Sequence, residues 1–446
     1  MKTLKLSLIL LCSLSIFIGV FLRFYNITHM PLSFDEMIQF DLLWEISSLK
    51  GVLHYNIIHD YQFPLQYIIT YPFVKIWGNE LLAFRFFSLA FSFGGGFVLW
   101  KLLKELSSKK EDELIHFFVL ALYSLSLPLI EYSYSSRPYG GLIFFTLLSF
   151  YLGFKSIRDP SYKKYEWVLC LLILSLTHLF GLFMAIILFF QFWFLRLKQY
   201  SKPRMVFFRG SLVLSVLSFI SLVGLYLIYI PALEIDIQRL VGFRKLWGLF
   251  SYLGNGIFLI FLFTFLLHKN KARGVRIFVF PILLLLLISL TLNLLGLPSF
   301  EYRFFVGMIP LIFIVMGECI GRYFFGQKRK LIVMLMCLLL FFGSFLSQSQ
   351  NLEKHPRVDL LVADQEMIQA QSSDIVACGN CPRFYFLSGK HRLQCLKGWD
   401  FSQNREALEV MQGLIIFDVN QKYCKKFIPK DFKLKKKYSG ISYFSK

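Results

Sequence analysis

The stretch SFDEM puts two carboxylates, Asp35 and Glu36, just after an apolar run from Leu6 to Leu22 that carries no charge. An ionised carboxylate at a membrane boundary can take the proton of an acceptor hydroxyl, which makes the pair a candidate for general-base chemistry. The pair also fits a purely structural role. Ser33 and Glu36 have the S-x-x-E spacing of a capping box, and Asp35 would lie in the first helical turn, where the helix dipole favours negative charge. The two roles are compatible, because a carboxylate held at a helix start stays ionised. Adjacent helical residues point roughly 100° apart, so both acids do not face one site, and Asp35 is the expected base.

Cations that could meet an anionic group stand nearby in the chain order. Arg85, Arg137 and Arg303 each lie at the edge of an apolar stretch, and Arg244 with Lys245 precede another. Each reads either as an anchor snorkelling to lipid headgroups or as a phosphate ligand, for which the planar guanidinium fork is well shaped. Arg137 stands out because it falls in a short turn. His178, at the end of an apolar stretch, reads either as an interfacial hydrogen-bonding group or as part of a site. His54, His59 and Asp60 match no familiar metal-ligand spacing, so neither a metal nor another cofactor is expected.

The elements that must position these groups follow from composition. A 446-residue chain that is 56% hydrophobic and 18% aromatic has more apolar surface than a soluble domain can bury. The net charge of +21 comes in short bursts between apolar runs, a pattern of membrane topology and not of a nucleic-acid footprint. Runs of roughly 17 to 25 apolar residues qualify as spans. They fall near 5–22, 84–101, 114–131, 138–155, 165–178, 179–196, 208–230, 247–267, 277–297, 304–322 and 331–347, eleven in all, with THLFG read as a tight turn between the fifth and sixth. With a cytoplasmic N-terminus, the inside segments hold 23 Lys or Arg against nine outside before the tail, which orients the chain. No small-x-small cleavage site follows the first run, so it is expected to remain as a span.

The outside segment 23–83 is long and contains apolar pieces of its own. Residues 36–47 and 64–77 are too short to cross and are expected to lie in the interface as a platform. From 348 onward the character changes: DIVACG, RLQCL and GLIIFDV read as strands, with helices at 357–371 and 404–412. The expected organisation is a transmembrane domain over 1–347 and a small exoplasmic α/β domain over 348–446, which ends in the lysine-rich run KLKKK. Cys378, Cys381, Cys395 and Cys424 fall in this tail, where disulfides, free thiols and a zinc site are all open readings.

The order of these segments resembles the GT-C glycosyltransferases, specifically glycosyltransferase family 39, which includes protein O-mannosyltransferases and lipid A aminoarabinose transferases. FDE after the first span is similar to the family's acidic motif. FPLQYIITYPFVKIWGNELLAFRFFSLAF (63–91), with Pro64, Trp77, Gly78, Glu80 and Arg85, resembles its second motif. YSYSSRPYG (132–140), THLFGLF (177–183) and EYRFF (301–305) resemble three more, so the likeness covers roughly 1–325.

The resemblance implies an inverting transferase in the cell membrane, the bacterial inner membrane, that takes a sugar from a polyprenyl-phosphate donor to an exoplasmic acceptor. On that reading Asp35, Glu36 and Glu131 are the catalytic candidates, Arg85, Arg137, Arg303, Arg244 and Lys245 bind the donor phosphate, and His178 and Tyr139 serve the acceptor side. The chain departs from the pattern at Ser135, where the family carries an acid two residues before its arginine. Glu131, one helical turn earlier, is the acid available to inherit that role. The rival class is a polytopic transporter or flippase, or a non-catalytic binder of lipid-linked sugar. Against it stand the scarcity of charges inside the spans and the lack of an inverted repeat. The charge count gives an expected outcome: a periplasm-dependent reporter fused after Lys446 is active and one fused after Lys164 is silent, and reversal of both would invert the topology.

Overall fold

The computed structural model describes residues 2–30, the helical positions Glu36, Gln39, Leu42 and Leu43, residues 46–55, 64–77, 81–106, 113–159, 164–199, 273–294, 302–323 and 326–353, and five strands of the tail. In chain order the helices are α1 (Lys2–His29), α2 (Leu49–Tyr55), α3 (Leu65–Trp77), α4 (Leu81–Leu106), α5 (Glu113–Leu125), α6 (Leu127–Glu131), α7 (Tyr139–Arg158), α8 (Lys164–Ser175) and α9 (Leu179–Gln199). Then come α10 (Arg273–Leu294), a 3-10 helix (Tyr302–Met308), α11 (Ile309–Tyr323) and α12 (Gln327–Glu353).

Six of the described helical segments are long and apolar enough to cross a bilayer: Lys2–His29, Leu81–Leu106, Tyr139–Arg158, Leu179–Arg196, Arg303–Gly321 and Gln327–Leu346. Three shorter apolar helices, Glu113–Leu125, Tyr165–Ser175 and Arg276–Thr291, accompany them. Together they occupy nine of the eleven expected spans; 208–230 and 247–267 lie outside the described residues. In lipid every backbone N–H and C=O needs an internal partner, which is why such runs become helices. The bundle is layered. In Arg303–Gly321, 83% of the apolar window is buried, against 22% in α1 and 28% in α12. The first is therefore core, and the other two present their apolar faces to lipid. Around the middle, α7 packs on α4, α8, α9 and the 3-10 helix, while α11 packs on α5 and α10.

The third expected span, 114–131, is broken. Pro128 sits in the first turn of α6 and has no N–H to offer the carbonyl of Ser124, four residues earlier. A side chain from another helix fills the gap. Arg23 of α1, 2% exposed, donates from Nη1 to Ser124 O at 2.6 Å and to Gly19 O at 2.8 Å, from Nη2 to Tyr123 O at 3.2 Å, and from Nε to Ser92 Oγ at 2.9 Å. The carbonyls at 123 and 124 end α5, where the helix dipole is negative, so a guanidinium is well placed there. The tyrosine joins in. Its ring lies 5.7 Å under the guanidinium, and its hydroxyl donates to Ser92 O at 2.8 Å. Gly19 makes the approach possible, since a Cβ there would collide with the Ser124 carbonyl.

The described residues fall into two compact units, 1–28 with 46–345, and 29–45 with 346–446. In the second, the strands β1 (Asp374–Cys378), β2 (Arg392–Leu396), β3 (Ile415–Asp418), β4 (Lys433–Tyr438) and β5 (Ile441–Ser445) form one sheet in the order β2-β1-β3-β5-β4. β1 is parallel to β2 and β3, whereas β5 is antiparallel to β3 and β4. The first three strands lie on the three stretches read as strands in the sequence. The lysine-rich run forms the edge strand β4, a placement that discourages pairing with another chain. Ala377, not Cys378, is the register partner of Cys395. The helices expected at 357–371 and 404–412, with Cys381 and Cys424, lie outside the described residues.

The buried Arg23 cap carries a stability prediction. Arg23→Met leaves the Ser124 carbonyl without its donor and lowers unfolding stability in mild detergent by about 1.5–3 kcal/mol. Arg23→Lys recovers part of the loss, and a thermal melt of the three purified proteins measures both.

Candidate functional site

Two loops of the first unit carry the candidates Glu131, Arg137 and His178. One runs from Glu131 at the end of α6 to Pro138 and is buried throughout except for the half-buried Glu131. The other is the turn at Leu176–His178 between α8 and α9. The first turn of α3 joins them. Leu65 N donates to Leu176 O at 3.2 Å, while Gln66 Nε2 donates to Ser136 Oγ at 3.1 Å and to Thr70 Oγ1 at 3.1 Å. The stretch expected to lie in the interface plane is tied into the bundle by a buried glutamine.

The turn explains the THLFG residues one by one. Thr177 Oγ1 donates to Leu174 O at 2.6 Å and closes the end of α8. Gly181 sits where a Cβ would run into Leu174 O and Thr177 Oγ1, so only glycine lets α9 start so close to α8. His178 is the N-cap of α9: its carbonyl accepts from Leu182 N at 3.0 Å, and its Nδ1 accepts from Phe180 N at 3.1 Å. Accepting at Nδ1 requires the neutral tautomer with its proton on Nε2. Rings enclose the imidazole, with centroids of Tyr139 at 5.5 Å, Phe304 at 5.0 Å and Phe180 at 6.0 Å. Burial, followed by the charges of Arg137 and Arg303, pushes its pKa down from 6.5 to about 3. Two arginines from separate segments therefore bear on one neutral imidazole that offers an N–H.

Each candidate now has a place. Arg137, 9% exposed, is part of the buried loop, and Arg303 lies half-buried in the 3-10 helix with its guanidinium 5.7 Å from the Phe304 ring. Tyr139, 3% exposed, opens α7 and packs on Tyr132 with centroids 4.6 Å apart. Arg85 is fully buried; it donates to Ile27 O at 3.1 Å, near the C-terminus of α1, and covers the Tyr134 ring at 5.9 Å. That placement rules out snorkelling to headgroups and makes Arg85 a brace between α1 and the 131–138 loop. Ser135, in the position of the family acid, is 4% exposed.

Glu36 belongs to the second unit and is 1% exposed, one turn from Gln39 at 1%. With Leu43 they form a helical stripe, and Ser33, the other half of the expected capping box, lies outside the described residues. Neither polar atom of the Gln39 amide has a hydrogen-bond partner among the described residues. Asp35, Arg244, Lys245, Gly78, Glu80, His59 and Asp60 lie outside the described residues, and His54 is exposed at the end of α2. Sequence reading had no place for Arg23, Gln66, Ser136 or Gln39. The available signals were the Gly19-x-x-x-Arg23 spacing in a span and the polar pair Gln66 and Thr70 one turn apart in an apolar helix.

With the fold and this geometry in view, comparison with solved structures finds the apo crystal structure of ArnT from Cupriavidus metallidurans, with a TM-score of 0.60 over 97% of each chain at 11% identity. No protein-family model matches the sequence, and no curated protein matches it. The fold is that of the GT-C type, an all-α polytopic membrane architecture with a small C-terminal α/β unit.

The capping histidine yields a pH prediction. Its pKa is lower folded than unfolded, so between about 6.5 and 3 the unfolded chain binds the proton and the folded chain does not. Its contribution to stability is complete above pH 6.5 and is lost as the pH falls below it. Asparagine keeps the cap without the titration. The melting temperature should therefore drop less between pH 7 and pH 5 in His178→Asn than in the parent. His178→Ala, which also removes the cap, loses about 1 kcal/mol at pH 7.

Proposed function

We propose that the protein is an inverting membrane glycosyltransferase that moves a sugar from a polyprenyl-phosphate donor to an acceptor hydroxyl or amine on the exoplasmic side. The observation that carries this reading is the meeting at His178 of the segments that carry Arg137 and Arg303, through the rings of Tyr139 and Phe304, in a chain with the fold of ArnT. Arg137, Arg303 and His178 suit an anion: two positive charges and one N–H donor, beside the rings of Tyr139 and Phe304. Keeping the imidazole neutral leaves the positive charge on arginines, whose forks can hold two phosphate oxygens at once.

The reaction follows from that assignment. Asp35 takes the proton of the acceptor, whose oxygen or nitrogen then forms a bond to the anomeric carbon from the face opposite the phosphate. The bond from that carbon to the phosphate oxygen breaks, and its electron pair leaves with the polyprenyl phosphate. Positive charge on the sugar ring and negative charge on the leaving oxygen grow together. Arg137, Arg303 and the His178 N–H stabilise the oxygen. No general acid is needed, because the lipid phosphate is already stable as an anion. Glu131, half-buried at the head of the loop that carries Arg137, orients the acceptor or balances the arginine, the role left open by Ser135.

Transfer of radiolabelled sugar from isolated lipid-linked donors tests the reading. Asp35→Asn abolishes transfer while donor binding persists, and Arg137→Gln weakens donor binding itself. Glu131→Gln slows turnover at least tenfold, about 1.4 kcal/mol of barrier, and adding Ser135→Glu restores part of it. Full transfer in Asp35→Asn would remove the base assignment. A parent protein that binds lipid-linked sugars and transfers none of them would favour a flippase or a binding-only protein.

A further inference from the structure

The opposite end of the bundle, where α1, α5 and α12 begin and α4 ends, contains a cavity of about 600 Å³ within the first unit. Nothing in the transfer reaction uses it. Its mouth carries Lys5, Lys104 and Lys330 from three different helices, against the single carboxylate of Glu113. Trp100 lies in the wall with the Lys104 ammonium 3.9 Å from its ring centroid, and Lys101 Nζ approaches the same ring at 5.4 Å. Deeper in, the lining is mostly apolar, through Ile9, Leu120 and the buried Met334, with the buried His116 as its polar exception.

The electrostatics at α12 sharpen the picture. The helix begins after Gly326, at φ +86°, and its first turn reads Gln327, Lys328, Arg329, Lys330 with no acid. Cations at a helix start oppose the dipole, and an external anion offsets that repulsion. The cavity is therefore cationic at the mouth and hydrocarbon-like within, between helices whose outer faces are apolar: Leu6 and Leu10 on α1 and Met336 on α12 are each more than half exposed. A free anion would satisfy the mouth and leave the apolar depth to water. A lipid satisfies both.

We infer that this cavity is a binding site for an anionic phospholipid of the leaflet on the N-terminal side, with its phosphate among Lys5, Lys104 and Lys330 beside Trp100, and an acyl chain along Ile9, Leu120 and Met334. The site is separate from the proposed donor site: Arg85, which covers Tyr134 of the loop that carries Arg137, lies fifteen residues from Trp100 along α4, about 23 Å of helix. Tryptophan and lysine are the residues that ordinarily settle at a headgroup boundary, and anionic headgroups attract lysines there. The inference does not depend on the transferase reading.

The test uses the full-length protein in mild detergent, titrated with phosphatidylglycerol or phosphatidylcholine, and read by native mass spectrometry and thermal melting. Phosphatidylglycerol should remain bound and raise the melting temperature; phosphatidylcholine should do neither. The triple variant Lys5→Gln, Lys104→Gln, Lys330→Gln should retain at least tenfold less phosphatidylglycerol. A second variant, Met334→Asn, keeps every charge and should weaken retention only for lipids with full-length chains, which guards against a triple variant that folds poorly. Equal retention of both lipids by the parent, or unchanged phosphatidylglycerol in the triple variant, overturns the site. Displacement by inorganic phosphate or glycerol phosphate as effective as by the lipid would overturn the lipid and leave a free-phosphate site.

Discussion

A guanidinium can enter an apolar bundle only where oxygens are waiting for it, and here those oxygens belong to helix ends. Arg23 meets the terminal carbonyls of α5 at 123 and 124, and Arg85 meets the carbonyl of Ile27 near the end of α1. The two are reciprocal. The first reaches from α1 to Ser92 on α4, and the second from α4 back to α1. Burying an unmatched cation would cost several kcal/mol, so these contacts make the crossing of α1 and α4 highly specific. The break at Ser126 to Pro128 serves the same end, because it leaves the Ser124 carbonyl without a backbone donor.

The loop from Glu131 to Pro138 depends on that frame. It is nearly all buried, and a buried loop must bond its polar groups internally. Ser133 does so through Ile130 O at 2.6 Å, and Ser136 does so through Gln66 on α3. Arg85 covers Tyr134 from the other side. A loop held at so many points can present Arg137 with little rearrangement, which is what stabilising a developing phosphate charge asks of a site. The neutral His178 fits the same logic. A charged imidazole between two arginines and a helix start would repel all three, and the cap to Phe180 N keeps it a donor at Nε2.

The two ends of the bundle divide their cations by use. At the α3 end, arginines are buried and geometrically constrained, with planar forks suited to oriented bonds. At the other end, the cavity mouth carries only lysines, which are flexible point charges suited to a fluid headgroup. Trp100 lines the same cavity, between the apolar outer faces of α1 and α12.

Much of the architecture is legible in the sequence, because a twenty-residue apolar run in a bilayer has no option but to be a helix. Nine of the eleven spans, one of them broken at Ser126, the turn at THLFG and the first three strands of the tail follow from period and punctuation. The fold's likeness to the GT-C type was carried by short motifs such as SSRPY and THLFG, whose residues prove to meet through α3. What composition and spacing did not determine is which polar residues face one another. Gln66 and Ser136 are seventy residues apart, and Arg23 and Ser124 a hundred and one; no local period links such pairs. The same applies to Glu36, whose burial its place in a capping-box spacing does not reveal. A hydrophobic pattern states which side of a helix avoids water, but only the packed helices decide which polar exceptions on that side find partners.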